Sequence, residues 1–155
     1  MRYALIRELD ISNGEGIRVS LFVQGCDRHC EGCFNPETWD WNSGKEFTHE
    51  TLTQLMKLCD NPHIKGLSIL GGEPLHPNNR NYVDVIIKTF RKLYPAKDIW
   101  LWTGYTIEQI ENLPDVDYLI DGSFVEELKD PSLHWRGSKN QNIWQKENDK
   151  WEKKE

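Results

Sequence analysis

Ile17-Arg18-Val19-Ser20-Leu21-Phe22-Val23-Gln24 runs through Gly25 into Cys26-Asp27-Arg28-His29-Cys30-Glu31-Gly32-Cys33. The first half mixes apolar and β-branched residues in the pattern of a strand. The second half sets three thiols within eight residues, at spacings of three and two. So compact a loop closes around one metal centre without help from distant sequence. A structural metal ion asks for four protein ligands. A four-iron cluster also has four corners, and three cysteines fill only three of them. An open coordination position is where a metal site does chemistry.

The arrangement of strand and special loop then recurs. Leu67-Ser68-Ile69-Leu70 ends in Gly71-Gly72-Glu73-Pro74. Adjacent glycines at a strand end expose backbone N–H and C=O groups and admit close approach. Glu73 adds a carboxylate suited to an ammonium group. An open iron corner, a bare backbone edge and a carboxylate together suit a ligand with its own amine and carboxylate, such as an amino acid.

Working outward, Tyr3–Leu9 reads as a short strand and Asn13–Gly16 as a turn. Residues 34–47 lack periodicity and form a connection, with Trp39 and Trp41 as packing anchors. Thr48 is an N-cap, and Leu52, Leu55, Met56 and Cys59 fall on one helical face. Cys59 is thereby explained as a small core residue. Asn81–Tyr94 carries Val83, Ile86, Ile87 and Phe90 on one stripe, and Pro95 stops it. Ile99–Thr103 is a strand, Thr106 and Gln109 form a capping box, and Tyr118–Asp121 is a fourth strand. Asn142–Gln145 is a fifth strand. Lys146–Glu155 is mostly charged, with Trp151 its only large apolar side chain, and reads as a frayed tail.

Strands alternating with helices imply parallel pairing with right-handed crossovers. Four or five such units cannot close an eight-fold barrel. The expected fold is α/β, an open, partial (β/α) barrel of four to five parallel strands in a single domain, residues 1–155. Its ligand belongs at the C-terminal ends of the strands. The cysteine loop, the Gly-Gly-Glu loop, Thr103 and Asp121 all fall at those ends.

The charge balance, 19 Lys and Arg against 25 Asp and Glu for a net −6, argues against general nucleic-acid binding. No apolar run approaches the ~20 residues a membrane span needs. The first residues lack a signal-peptide pattern. The expected location is the cytoplasm, where clustered cysteines signify metal or redox chemistry rather than disulfides.

Cys26-x3-Cys30-x2-Cys33 followed by Gly71-Gly72-Glu73-Pro74 resembles the radical S-adenosylmethionine superfamily. Four further segments narrow the resemblance: Asn13–Arg18, Cys33–Trp39, Trp102–Tyr105 and Trp135–Gln141. Together they are similar to the family of glycyl-radical activases that activate the anaerobic ribonucleoside-triphosphate reductase, over about residues 10–143. The resemblance implies an oxidoreductase in which Cys26, Cys30 and Cys33 hold a [4Fe–4S] cluster whose fourth iron binds S-adenosylmethionine. Gly71, Gly72 and Glu73 would fix the methionyl end of that cofactor, and Gly32, Cys33 and Phe34 would line it. It further implies a reduced flavodoxin-type electron donor and, as partner, the large reductase subunit that receives a glycyl radical. Catalytic acid or base side chains are not required, because the cofactors carry the chemistry. The residue before the last cysteine is often aromatic in the superfamily; here it is Gly32, and Phe34 is the nearest aromatic.

Two other readings of the same residues stay open. One is a radical S-adenosylmethionine enzyme acting on another peptide or a small molecule. The other is a non-catalytic adaptor stapled by zinc, with His29 or Cys59 as fourth ligand. Thr103 and Asp121 serve local backbone capping as well as they serve a cofactor. Gly137–Gln141 is either a turn or a cofactor or partner contact. Trp39, Trp41 and Trp135 suit partner contact and packing equally.

Overall fold

The computed structural model describes residues 1–154. Eight strands form one mixed sheet: β1 Arg2–Asp10, β2 Arg18–Val23, β3 Lys45–Glu46, β4 Gly66–Gly71, β5 Asp98–Trp102, β6 Tyr118–Asp121, β7 Asn142–Glu147 and β8 Lys150–Lys154. Two α-helices join them, α1 at His49–Cys59 and α2 at Pro77–Leu93. The strand order is β3-β1-β2-β4-β5-β6-β7-β8. Its centre, β2-β4-β5-β6, is parallel and in chain order, as strands linked by crossovers require. The fifth expected strand exists as β7, but it pairs antiparallel to β6 and ends the parallel run at four.

Alternation along the strands sorts side chains onto two faces. Val19, Leu67 and Ile99 lie in one row and Leu21, Ile69, Leu101 and Leu119 in the next. These rows share one core with Leu55, Met56 and Cys59 of α1 and Val83, Ile86, Ile87 and Phe90 of α2. Both helices therefore cover the same face. The opposite face carries a smaller cluster of Trp100, Ile120 and Ile143, packed by Trp102, Tyr118 and Trp135. Next to it Arg18 is wholly buried, paired with Asp98 at 2.6 Å and donating from Nε to Ser68 Oγ at 2.7 Å. This pair ties together the N-terminal ends of β2, β4 and β5 and floors that face.

Thr48 caps α1 as its sequence indicates, with Thr51 completing a reciprocal capping box. Helix α2 starts at Pro77 rather than Asn81, because Pro77 at the first position and the His76 ring, which accepts from the Asn78 N–H, begin it earlier. The Thr106–Gln109 box opens only one 3-10 turn, Ile107–Gln109. Pro114 follows too closely for a longer helix. The crossover from β5 to β6 thus lacks an α-helix, and the chain has fewer β/α units than expected.

The frayed-tail expectation is overturned for Lys146–Lys154, and Glu155 lies outside the described residues. Lys150–Lys154 pairs with β7, from Glu147 opposite Lys150 to Ile143 opposite Lys154. Asn148 (φ 51°) and Asp149 (φ 63°) form the two-residue connection, the left-handed pair that a tight hairpin requires. Trp151 packs against the main core, and lysines along β8 protect the sheet edge.

Candidate functional site

The C-terminal ends of β2, β4, β5 and β6 converge on a cavity of about 480 Å³, within the ~300–1,000 Å³ of small-molecule clefts. Its wall includes Cys26, Cys30, Cys33, Phe34, Gly71, Gly72 and Glu73. Of the residues expected to hold the cluster or the cofactor, only Gly32 stands outside the wall. Its left-handed φ of +76° turns the loop, and a Cβ there would lie 2.9 Å from the Glu126 carboxyl carbon.

The cysteine loop begins at Gly25, where φ is +102° and a Cβ would fall 2.0 Å from the Trp41 ring. Only glycine fits there. The Gly25 and Cys26 N–H groups donate to the carbonyls of Thr38 and Trp39. The three residues between the first two cysteines are each held in a different direction. Asp27 accepts from the Trp41 indole at 2.8 Å and pairs with His76 at 2.7 Å. Arg28 donates to Ser123 Oγ at 3.1 Å, lies 4.2 Å from the centre of the Tyr105 ring and stands 3.5 Å from Glu73. His29 stacks on Trp39 with ring centres 4.6 Å apart. All four cysteines are free thiols.

The glycines at the end of β4 bring that strand against this loop. A Cβ on Gly72 would lie 2.3 Å from the Gly25 carbonyl oxygen, and one on Gly71 2.7 Å from that of Val23. The resulting backbone bonds run from Gly72 N–H to Val23 and from Glu73 N–H to Gly25, at 2.9 and 2.8 Å. Glu73 is buried, and its carboxylate accepts from Thr103 Oγ1 (2.7 Å), Gly104 N–H (2.7 Å) and Leu75 N–H (3.1 Å). Burial pushes the Glu73 carboxyl above its ordinary range, while these donors and Arg28 pull it down. Burial likewise raises the Cys26 thiol. Cys59, deep in the α1 core, is pushed up to about 12, which leaves it inert as a nucleophile or ligand.

Thr103 joins the site through Glu73. Asp121 does not line the cavity: it accepts from the N–H groups of Ile107 and Asn142, a local capping role. Gln141 both lines the cavity and organises residues 137–141, accepting from the Gly137 and Ser138 N–H groups and donating to the Gly122 carbonyl. Trp39, Trp41 and Trp135 all pack within the chain, on His29, His76 and Trp100. Arg28, Tyr105 and Ser123 are site residues that the sequence reading passed over. Arg28 sits inside the cysteine motif, and a lone cation between three soft ligands was the available signal.

Among the described residues, no three His, Cys, Asp or Glu side chains are gathered closely enough to hold a single metal ion. His29 is turned onto Trp39 and Cys59 is buried in α1, so neither joins the three cysteines as a fourth ligand. A four-iron cluster binds each thiolate at a different iron and spaces its ligands more widely than one ion does. Three free thiols on one cavity wall, beside a buried Arg28 Nε without a hydrogen-bond acceptor, fit a cluster with an anionic ligand beside it.

A family model described as a 4Fe–4S single cluster domain matches residues 12–144. An anaerobic ribonucleoside-triphosphate reductase-activating protein of Vibrio cholerae is 42% identical over 150 residues, covering 92% of this chain and 97% of its own length. Proteins of the same name from Enterobacteria phage T4 (42% identity; 97% of this chain and 98% of the relative) and Escherichia coli (43%; 91% and 96%) are similarly close. The cysteine-lined cavity and this nearly full-length similarity lead to one assignment: the chain belongs to the 4Fe–4S single-cluster family and, within it, to the anaerobic ribonucleoside-triphosphate reductase-activating proteins.

Proposed function

We propose that this protein generates the backbone glycyl radical of the anaerobic ribonucleoside-triphosphate reductase, using a [4Fe–4S] cluster and S-adenosylmethionine bound in the cavity. The observation that carries the reading is that Cys26, Cys30 and Cys33 line the same cavity as Gly71, Gly72 and Glu73. When bound, the cluster supplies the electron that cleaves S-adenosylmethionine to methionine and a 5′-deoxyadenosyl radical, which takes a hydrogen atom from a glycine Cα of the large reductase subunit.

The chain's own residues bind and orient. Cys26, Cys30 and Cys33 would hold the cluster as thiolates, and burial raises the Cys26 thiol that would have to be deprotonated for this. Thr103 and the Gly104 and Leu75 N–H groups fix the Glu73 carboxylate. Glu73 and the Gly72 backbone would hold the methionyl amine, with Gly71 allowing the close approach. Cys33 and Phe34 line the cofactor, and Gly32 shapes the turn that carries them. Phe34, 60% exposed at the mouth, gives an entering loop of a protein partner an apolar rim. Positioning of this kind carries much of a bimolecular step's barrier.

Parallel strands added in chain order, with both helices on one face, support the open, partial (β/α) barrel over a doubly wound sheet. One sheet running from Arg2 to Lys154 supports a single domain. Four free thiols suit the reducing cytoplasm, and no helix is long and apolar enough to cross a membrane. As electron source we propose a reduced flavodoxin-type donor.

The test is anaerobic reconstitution with iron and sulfide, reduction in the presence of S-adenosylmethionine, and assay of 5′-deoxyadenosine with and without the reductase. The expected result is cleavage and a glycine-centred radical signal on the added reductase. Uptake of one zinc, with neither cluster nor cleavage, would refute the reading.

A further inference from the structure

Arg28 brings a cationic side chain against Glu73. Its Nε stands 3.5 Å from Glu73 Oε1, too far for a hydrogen bond, and is buried without an acceptor. Its Nη1 donates to Ser123 Oγ at 3.1 Å, and its guanidinium lies over the Tyr105 ring. Gly104 makes room for it: a Cβ there would be 2.3 Å from Nε. A guanidinium carries five N–H donors; here Nη1 meets the Ser123 hydroxyl, while the buried Nε–H meets no acceptor. An ionised carboxylate has about four acceptor sites; on Glu73 the N–H groups of Gly104 and Leu75 and the Thr103 hydroxyl fill three. The wall therefore presents an unfilled guanidinium N–H and a remaining carboxylate acceptor site side by side, the complement of an amino-acid zwitterion.

We propose that Arg28 binds the carboxylate of the cofactor's methionyl end while Glu73 faces its ammonium group, making the wall selective for the intact zwitterion. This inference rests on the reading of the cavity as an S-adenosylmethionine site. Ser123 and Tyr105 fix the plane of the guanidinium, so two parallel N–H groups meet a carboxylate without further ordering.

The experiment measures equilibrium binding to the cluster-loaded, unreduced protein, with iron and sulfide content determined for each sample. The ligands are S-adenosylmethionine and its decarboxylated analogue. The proteins are wild type, Arg28→Gln and Arg28→Lys. Expected is wild-type iron and sulfide in Arg28→Gln, with S-adenosylmethionine bound roughly 10- to 100-fold more weakly, the scale of a charged hydrogen bond. The decarboxylated analogue loses nothing from the same substitution, and Arg28→Lys recovers part of the affinity for the intact cofactor. Equal affinity of wild type and Arg28→Gln for S-adenosylmethionine overturns the assignment and leaves the functional reading standing. Equal loss for both ligands, or loss of the cluster in both variants, also overturns it, by showing that Arg28 only shapes the loop. A wild-type protein that takes up no cluster and binds neither ligand removes the functional reading and this inference with it.

Discussion

Replacing Thr103 by valine removes one hydroxyl from the buried surroundings of Glu73 while nearly conserving shape. The lost bond, Thr103 Oγ1 to Glu73 Oε2, is 2.7 Å long and ends on a carboxylate. Hydrogen bonds to charged groups contribute about 1.5–3 kcal/mol, and the Tyr105 N–H loses its acceptor as well. With a urea slope of about 2 kcal/mol/M, the unfolding midpoint of the iron-free variant falls by about 1 M at neutral pH. The pH dependence gives the sharper check. Burial raises the Glu73 carboxyl in the folded state, and Thr103 is the foremost group opposing that rise. In the variant it therefore rises further. A group whose folded value lies above its unfolded value contributes stability that is complete below the unfolded range and is lost as pH climbs through the folded value. The deficit of Thr103→Val is consequently smallest at about pH 4.5, near the unfolded carboxyl range, and largest at about pH 7.5. Urea titrations at both values measure it. A deficit of equal size at the two values, or none at neutral pH, refutes the account of Glu73 as a buried carboxylate held by these donors.

Three further outcomes are expected. Cys26→Ala, Cys30→Ala and Cys33→Ala each abolish S-adenosylmethionine cleavage, whereas Cys59→Ala retains it and costs about 1–2 kcal/mol through its core cavity; 5′-deoxyadenosine assays and thermal melts separate the two classes. Gly72→Ala drives a Cβ toward the Gly25 carbonyl and lowers iron and sulfide content after reconstitution, because backbone on both sides resists movement. Truncation after Asp149 removes β8 and bares the outer edge of β7; light scattering then shows self-association and the melting temperature drops.

The parallel centre of the sheet was legible because β2, β4, β5 and β6 are short apolar runs ended by glycine, threonine or aspartate, and α1 because Thr48 announces it. What escaped were features set by partners distant in sequence. The start of α2 depends on His76 acting as a cap, a role histidine rarely advertises. The β7–β8 hairpin was hidden by its charge: Lys150–Lys154 shows strand pairing only through its ladder with β7, and Asn148-Asp149 is a less familiar hairpin pair than Asn-Gly. In the site, the cysteines and the Gly-Gly-Glu segment stood out by their order, spacing and place after strands, and the fold brings both to one cavity wall. Arg28 did not, since its meaning comes from Ser123, Tyr105 and Glu73, which only the fold brings beside it. Asp121 looked equally available for a cofactor, and the antiparallel return of β7 turned it into a local cap.

The three side chains between Cys26 and Cys30 grip Trp41 and His76, Tyr105 and Ser123, and Trp39. Fixing a residue's backbone costs about 1–2 kcal/mol in entropy, and these contacts offset part of that cost for the loop. In zinc fingers, by contrast, the metal-free chain is unfolded and binding free energy is folding free energy. The cysteine loop thus takes part of its shape from side chains far away in the chain, so a substitution at Trp41, His76 or Ser123 reaches the site without touching a cysteine.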